Sequence, residues 1–172
     1  MPIYHQLGTV PHKRHTIFRR EGALLAEELI GNKGFTGPAS LLYHLHQPTP
    51  VQAVRKMRDL AWQRDPEPQF RHRHFRTHQL GSGGSLTLDR IPLLFNADVA
   101  MSFVQPTRAD EFFYRNAQGD EVVYASQGSG VLETPQGEIA FKDGDYLVIP
   151  RGILHRYRFN PGPLKFLVIE ST

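Results

Sequence analysis

Between Phe113 and Phe159 apolar and polar residues alternate in short bursts, and each burst is closed by Gly, Pro or Asp. The segments Glu121–Tyr124, Gly130–Thr134, Glu138–Phe141 and Asp145–Ile149 are rich in β-branched and aromatic residues, a pattern that predicts consecutive short strands joined by tight turns. Such spacing suits an antiparallel sandwich. Further upstream, Ser85–Ile91 and Ala97–Gln105 predict two more strands, with Leu93–Asn96 between them and the loop 81–85 before them.

The first third of the chain is patterned differently. Met1–Arg20 is polar, carries Pro and His, and reads as an extended arm. By propensity Glu21–Ile30 forms a short helix, closed by Gly31 and Gly34. Leu41–His46 alternates as a strand, with Leu41, Tyr43 and Leu45 on one face and Leu42, His44 and His46 on the other. In Thr49–Gln63 the residues Val51, Val54, Met57, Leu60 and Ala61 fall on a helical stripe, with Thr49 and Pro50 as start signals. Asp65–Pro68 is then a linker. The expected organisation is a cover segment over 1–68 that packs on a barrel formed by 69–172.

Two histidine sets invite a metal reading. His44 and His46 share a strand face, but no carboxylate lies near them in sequence, so ordinary hydrogen bonding is the favoured role. As a strand, Phe70–Leu80 would place His72, His74 and His78 together. Flanking arginines favour instead a basic, solvated strand facing an acidic surface.

Composition narrows the class. The chain has 172 residues, 40% of them hydrophobic and 22% charged, with a formal net charge of +3, which describes a globular domain able to bury a core. Its basic clusters carry no nucleic-acid-binding motif, so no nucleic acid partner is expected. Without cysteine there is no disulfide framework and no thiolate metal site. The first fifteen residues lack the apolar core of a signal peptide, and no run of about 18 apolar residues occurs, so a cytoplasmic protein without membrane contact is expected.

Two turn signatures stand inside the alternating region. Glu121 precedes Gly128, and Gly144 precedes Pro150, Gly152 and His155. Together they resemble the two motifs of the cupins, small jelly-roll barrels. The fold expected is therefore all-β, a cupin-type jelly-roll sandwich with an extended N-terminal arm and one or two short helices. Metal-binding cupins carry His-x-His shortly before the glutamate, and that place is held here by Tyr114, Arg115, Asn116 and Ala117. Phenol, guanidinium and amide are poor substitutes for imidazole around a cation. Tyr114, Asn116, Glu121 and His155 are thus candidates to line a ligand pocket, and no metal is expected. The competing reading keeps Glu121 and His155 as two ligands, with water completing the shell. Arg115 or Tyr114 would satisfy a buried Glu121 without any metal.

A longer resemblance covers the chain from near Tyr4 to its end. YHQLGTVPHKRHTIFR, AEELIGNKGFTGPASLLYHLHQPTP and PLLFNADVAMS, followed by FYRNAQGDEVVYASQGSGVLETPQGEIAFKDGDYLVIPRGILHRY, resemble the N-terminal half of the homogentisate 1,2-dioxygenases. The resemblance implies an enzyme of tyrosine and phenylalanine catabolism that opens an aromatic ring, converting homogentisate and dioxygen to maleylacetoacetate on non-haem Fe(II). In that family two His and one Glu hold the iron in the C-terminal half, so no ligand carries over to this sequence and its catalytic residues are unknown. The chain alone is then expected to be inactive, to bind no iron, and to play a structural and assembly role against a C-terminal cupin domain or a homo-oligomer partner. The alternative is a stand-alone cupin that takes a small acidic or aromatic ligand in its mouth.

Overall fold

The computed structural model describes residues 17–31, 33–59, 62–66 and 72–171. By internal packing the chain divides into two units, Met1–Asp59 and Leu60–Thr172.

In the first unit, β1 (Arg19–Arg20) and β2 (Ala23–Leu24) form a two-residue hairpin. Glu21 and Gly22 take φ of 51° and 80°, the left-handed pair that a tight hairpin turn requires. Next, β3 (Ala26–Gly31) pairs antiparallel with β4 (Ala39–His44). The helix expected over Glu21–Ile30 is therefore absent. Cross-strand bonds override its propensity: the Tyr43 hydroxyl donates to Glu27 at 2.9 Å, and His44 Nε2 meets Glu28 at 2.8 Å. Helix is also absent from the described part of Thr49–Gln63, where Leu60 and Ala61 lie outside the described residues. Val51, Val54 and Met57 are left exposed, and an apolar stripe with nothing to pack on does not hold a helix.

The second unit is a sandwich. Its larger sheet has the order β10-β7-β12-β6-β5, with β5 Ile91–Phe95, β6 Val99–Val104, β7 Glu121–Gln127, β10 Tyr146–Ile149 and β12 Lys165–Ser171. The smaller has the order β11-β8-β9, with β8 Gly130–Thr134, β9 Gly137–Phe141 and β11 Arg156–Phe159. All pairs are antiparallel. Every strand expected between Glu121 and Ile149 forms. Gly144, with φ of 88°, makes the turn after Lys142 and Asp143 that lets β10 return beside β7. Inward residues of both sheets, including Val123, Leu132, Phe141, Leu147, Tyr157 and Phe166, make one core.

Two upstream strands differ from expectation. Residues 86–88 are a turn, and β5 begins only at Ile91. The Ser85 hydroxyl accepts the backbone N–H groups of Thr87 and Leu88 at 3.1 and 3.0 Å, so donors that a ladder needs are used locally. In the histidine-rich run, 72–76 is unpaired and Thr77–Gln79 is a single 3₁₀ turn, which removes the common face expected for His72, His74 and His78. Arg73 is held by Asp65 at 2.7 Å, while Phe70 and Arg71 lie outside the described residues.

The outer surfaces of the two sheets are unlike. On the larger, Tyr146 and Val148 face Tyr124 and Val122 across the ladder, and these face Leu167 and Ile169. Tyr146 and Val148 are 65% and 69% exposed. The smaller sheet carries Glu133, Glu138, Arg156 and Arg158, linked in ion pairs.

Candidate functional site

The two motif segments are zipped together at one end of the barrel. Tyr114 and His155 exchange both backbone hydrogen bonds at 2.8 Å, and Gly152 N–H donates to the Asn116 carbonyl at 2.7 Å. This pairing brings all four candidates, Tyr114, Asn116, Glu121 and His155, to one place. Glu121 and His155 are wholly buried, and the rings of Tyr114 and His155 meet edge to face at 5.4 Å.

A fifth residue dominates the chemistry. Arg90, in the turn before β5, clamps Glu121 with both terminal nitrogens, Nη1 to Oε1 at 3.0 Å and Nη2 to Oε2 at 2.9 Å. Its Nε donates to the Leu86 carbonyl at 3.0 Å, which fixes the fork in the plane of the carboxylate. Tyr114 and Asn116 each donate to Glu121 Oε1 at 3.1 Å. Asn116 spends its other amide hydrogen on Glu170 at 2.8 Å, and its carbonyl accepts from the backbone of Gln118 and Gly119, so the orientation of the amide follows from its neighbours. Arg115, one of two residues expected to satisfy Glu121, is exposed; the guanidinium comes from Arg90 instead.

Protonation follows from this arrangement. Burial alone would raise the Glu121 carboxyl, but the Arg90 hydrogen bonds and charge outweigh it and hold the group below the ordinary carboxylate value. Burial also opposes the charge on Arg90, and the Glu121 hydrogen bonds reverse the effect, so both members stay ionised. Desolvation, reinforced by Glu121, pushes the Tyr114 phenol well up and keeps it a donor. His155 is lowered by burial, which the contact with Ile153 only partly offsets. Because a backbone carbonyl can only accept, His155 Nδ1 carries the proton at 2.9 Å from Ile153 O. Nε2 is therefore a bare acceptor and, like the Tyr157 hydroxyl, has no partner among the described residues.

These residues do not fit a divalent cation. Both Glu121 oxygens already accept from a guanidinium, and a metal there would meet a fixed positive charge across the same carboxylate. Among the described residues the buried atoms left without a partner are His155 Nε2, the Tyr157 hydroxyl and Asp110 Oδ1, and no cluster of three or more His, Asp or Glu suited to a metal occurs there. In the first unit, His44 is engaged by Glu28, a partner supplied by strand pairing. Sequence reasoning missed Arg90, Glu170 and Tyr157. A signal for the first was present in Ser85-x-Thr87-x-Asp89, whose short polar side chains favour a local turn over a strand.

The match to a protein-family model agrees with this architecture. Residues 102–170 match the family model of the cupin domain, Cupin_2. The chain is 38% identical over 169 residues to a protein of Saccharolobus solfataricus named "Putative dioxygenase SSO1533", a match that covers 98% of this chain and 44% of that protein. Among solved structures, a "putative mannose-6-phosphate isomerase" from Ralstonia eutropha is 22% identical over 58% of this chain and 98% of its own, with a TM-score of 0.49. A cupin-2 domain protein from Shewanella frigidimarina is 20% identical over 49% of this chain and 81% of its own, at 0.44. No described helix is long and apolar enough to cross a membrane. Residues 102–170 thus form a cupin domain of jelly-roll architecture, within a chain that spans less than half the length of the dioxygenase-named relative it matches.

Proposed function

We propose that this chain is a structural and assembly barrel of a ring-opening dioxygenase of the homogentisate type, and that the oxidation is carried out by non-haem Fe(II) held outside this barrel. In that reaction one dioxygen adds to homogentisate, a ring carbon–carbon bond breaks, and both oxygen atoms remain in maleylacetoacetate. Identity to the dioxygenase-named relative supports the class. The resemblance of FYRNAQGDE and GDYLVIPRG to homogentisate dioxygenases supports the substrate, a small aromatic acid. A cytoplasmic location is part of the same reading.

One observation carries the assembly role. The outer face of the larger sheet presents Tyr146, Val148, Val122, Tyr124, Leu167 and Ile169 in cross-strand register, without a charge among them. An antiparallel sheet that faces water normally alternates apolar inward and polar outward. A sheet apolar on both sides is built to be covered. The edge strand β10 adds to this, since Tyr-Leu-Val-Ile carries none of the charges or prolines that protect a free edge. Both features are self-complementary about a two-fold axis, so the occupant proposed is a second copy of the chain.

Two measurements on the purified chain test this reading. Light scattering should give a dimer or larger, and Tyr146→Glu with Val148→Glu should convert it to monomer. A monodisperse monomer of the unaltered chain at high concentration would refute the assembly role. With Fe(II) and homogentisate the chain should generate no maleylacetoacetate absorbance; its appearance would refute the placement of iron outside the barrel.

A further inference from the structure

We infer that the Arg90 guanidinium is the resident cation of this barrel, standing where the glutamate of a metal-binding cupin would meet its metal ion. The Arg90–Glu121 pair then neutralises its own charge, so that Glu121 neither needs nor admits a divalent ion. This inference is independent of the dioxygenase reading, since it concerns only what neutralises a buried carboxylate.

The geometry is that of a coordination sphere in reverse. A metal would gather oxygen and nitrogen lone pairs around one positive centre. Here one carboxylate gathers donors, two from Arg90 and one each from Tyr114 and Asn116. Glu121 is wholly buried and the Arg90 side chain is only 11% exposed, so water is a poor substitute partner for the pair. Arg90 also reaches Glu170 on β12 at 3.5 Å, and its guanidinium lies 5.7 Å from the centre of the Tyr114 ring. One side chain thereby ties the turn before β5 to β7, β12 and the Tyr114 segment, the kind of cross-link a metal provides in a small barrel.

The cation is delivered by a built turn. Besides the Ser85 hydroxyl bonds, Asp89 accepts the Ser85 N–H at 2.7 Å, and the Thr87 hydroxyl donates to buried Asp110 at 2.7 Å. Gly84, at φ 24°, has no room for a Cβ beside the Asp89 carboxylate. This turn lies ahead of residues 102–170, so the matched domain receives its internal counter-charge from a segment outside the match.

A metal titration tests the inference. The intact chain is stripped with a chelator, dialysed, and titrated separately with Fe(II), Mn(II) and Zn(II), while melting temperature and metal retained after desalting are measured. Specific binding to the folded state must raise the melting temperature. The expected result is no rise with any ion, no fall with chelator, and no metal retained through the barrel. If an ion is retained, Glu121→Gln and His155→Gln locate it: retention unchanged in both variants puts it outside the barrel, as the inference requires. An ion held one per chain that raises the melting temperature of the unaltered protein, and is lost from either variant that folds, would overturn it.

Discussion

The described residues hold two arginine–glutamate networks, and their difference shows which charges the fold depends on. On the smaller sheet, Arg156 and Arg158 reach Glu133 at 2.7 and 3.1 Å, and Arg158 also reaches Glu138 at 2.6 Å. At the barrel end, Arg90 grips Glu121 at nearly the same distances. Distance does not separate them, but surroundings do. If a surface pair breaks, water takes over both ions, whereas a broken buried pair strands one charge in a medium that cannot solvate it.

Breaking the buried pair from one side is expected to have the largest effect. Arg90→Met removes the guanidinium and leaves Glu121 with only two neutral donors, at a cost of roughly 3–5 kcal/mol, or a fall of about 10 °C in melting temperature. The double variant Arg90→Met/Glu121→Leu removes the stranded charge as well and should recover most of that loss, because an apolar pair of similar volume often equals a buried ion pair. Differential scanning calorimetry of both variants checks it. A double variant no better than the single would mean that Arg90 acts through packing against Tyr114 rather than through charge.

Acid sharpens the same contrast, with a smaller effect. Folding lowers His155, so as the pH falls below its ordinary value of 6.5 the unfolded chain takes up the proton first and stability declines from there. Folding also lowers Glu121, whose contribution is complete above the ordinary 4.5 and disappears as the pH drops through the depressed value. Urea unfolding from pH 8 to 3 should therefore show a first decline below about 6.5 and a steeper one below about 4.5. In His155→Asn the upper decline should vanish while the lower persists. A flat profile between pH 7 and 5 in the unaltered protein would mean that His155 is not buried in its neutral form.

Much of this contrast was legible in the sequence, and the missing part has a physical cause. Strands β7 to β10 follow from alternation and glycine spacing, because both sheets of a sandwich impose the period directly on the chain. The meeting of Glu121 and His155 is implied by the resemblance of the two turn signatures to the cupin motifs. Arg90 is not so implied, since it lies 31 residues before its partner in a segment whose alternation imitates a strand. Only the hydrogen bonds of Ser85 decide for the turn there. The helices expected over Glu21–Ile30 and Thr49–Gln63 are absent from the described residues for a related reason. A local stripe predicts a helix only when another surface receives it, and neither the pairing of β3 with β4 nor the exposure of Val54 can be read from a period.

The surface network should show the smallest effect, and it serves as the control for the other two. Glu133 accepts from both Arg156 and Arg158 and is held below the ordinary carboxylate value, first by the Arg156 hydrogen bond. On charge and geometry alone, Glu133→Gln would be expected to resemble Arg90→Met. Arg158 is half exposed, however, and the released guanidinium groups turn to water, with Arg156 still lying over the Phe113 ring at 4.5 Å. The fall in melting temperature should be about a fifth or less of that for Arg90→Met, and should shrink further in molar salt, where the screening length drops to about 3 Å. The Arg90→Met deficit should be less sensitive to salt, because Glu121 is wholly buried and the Arg90 side chain nearly so. Equal salt dependence in the two variants would mean that solvent reaches the Arg90–Glu121 pair, and would remove the distinction between the networks.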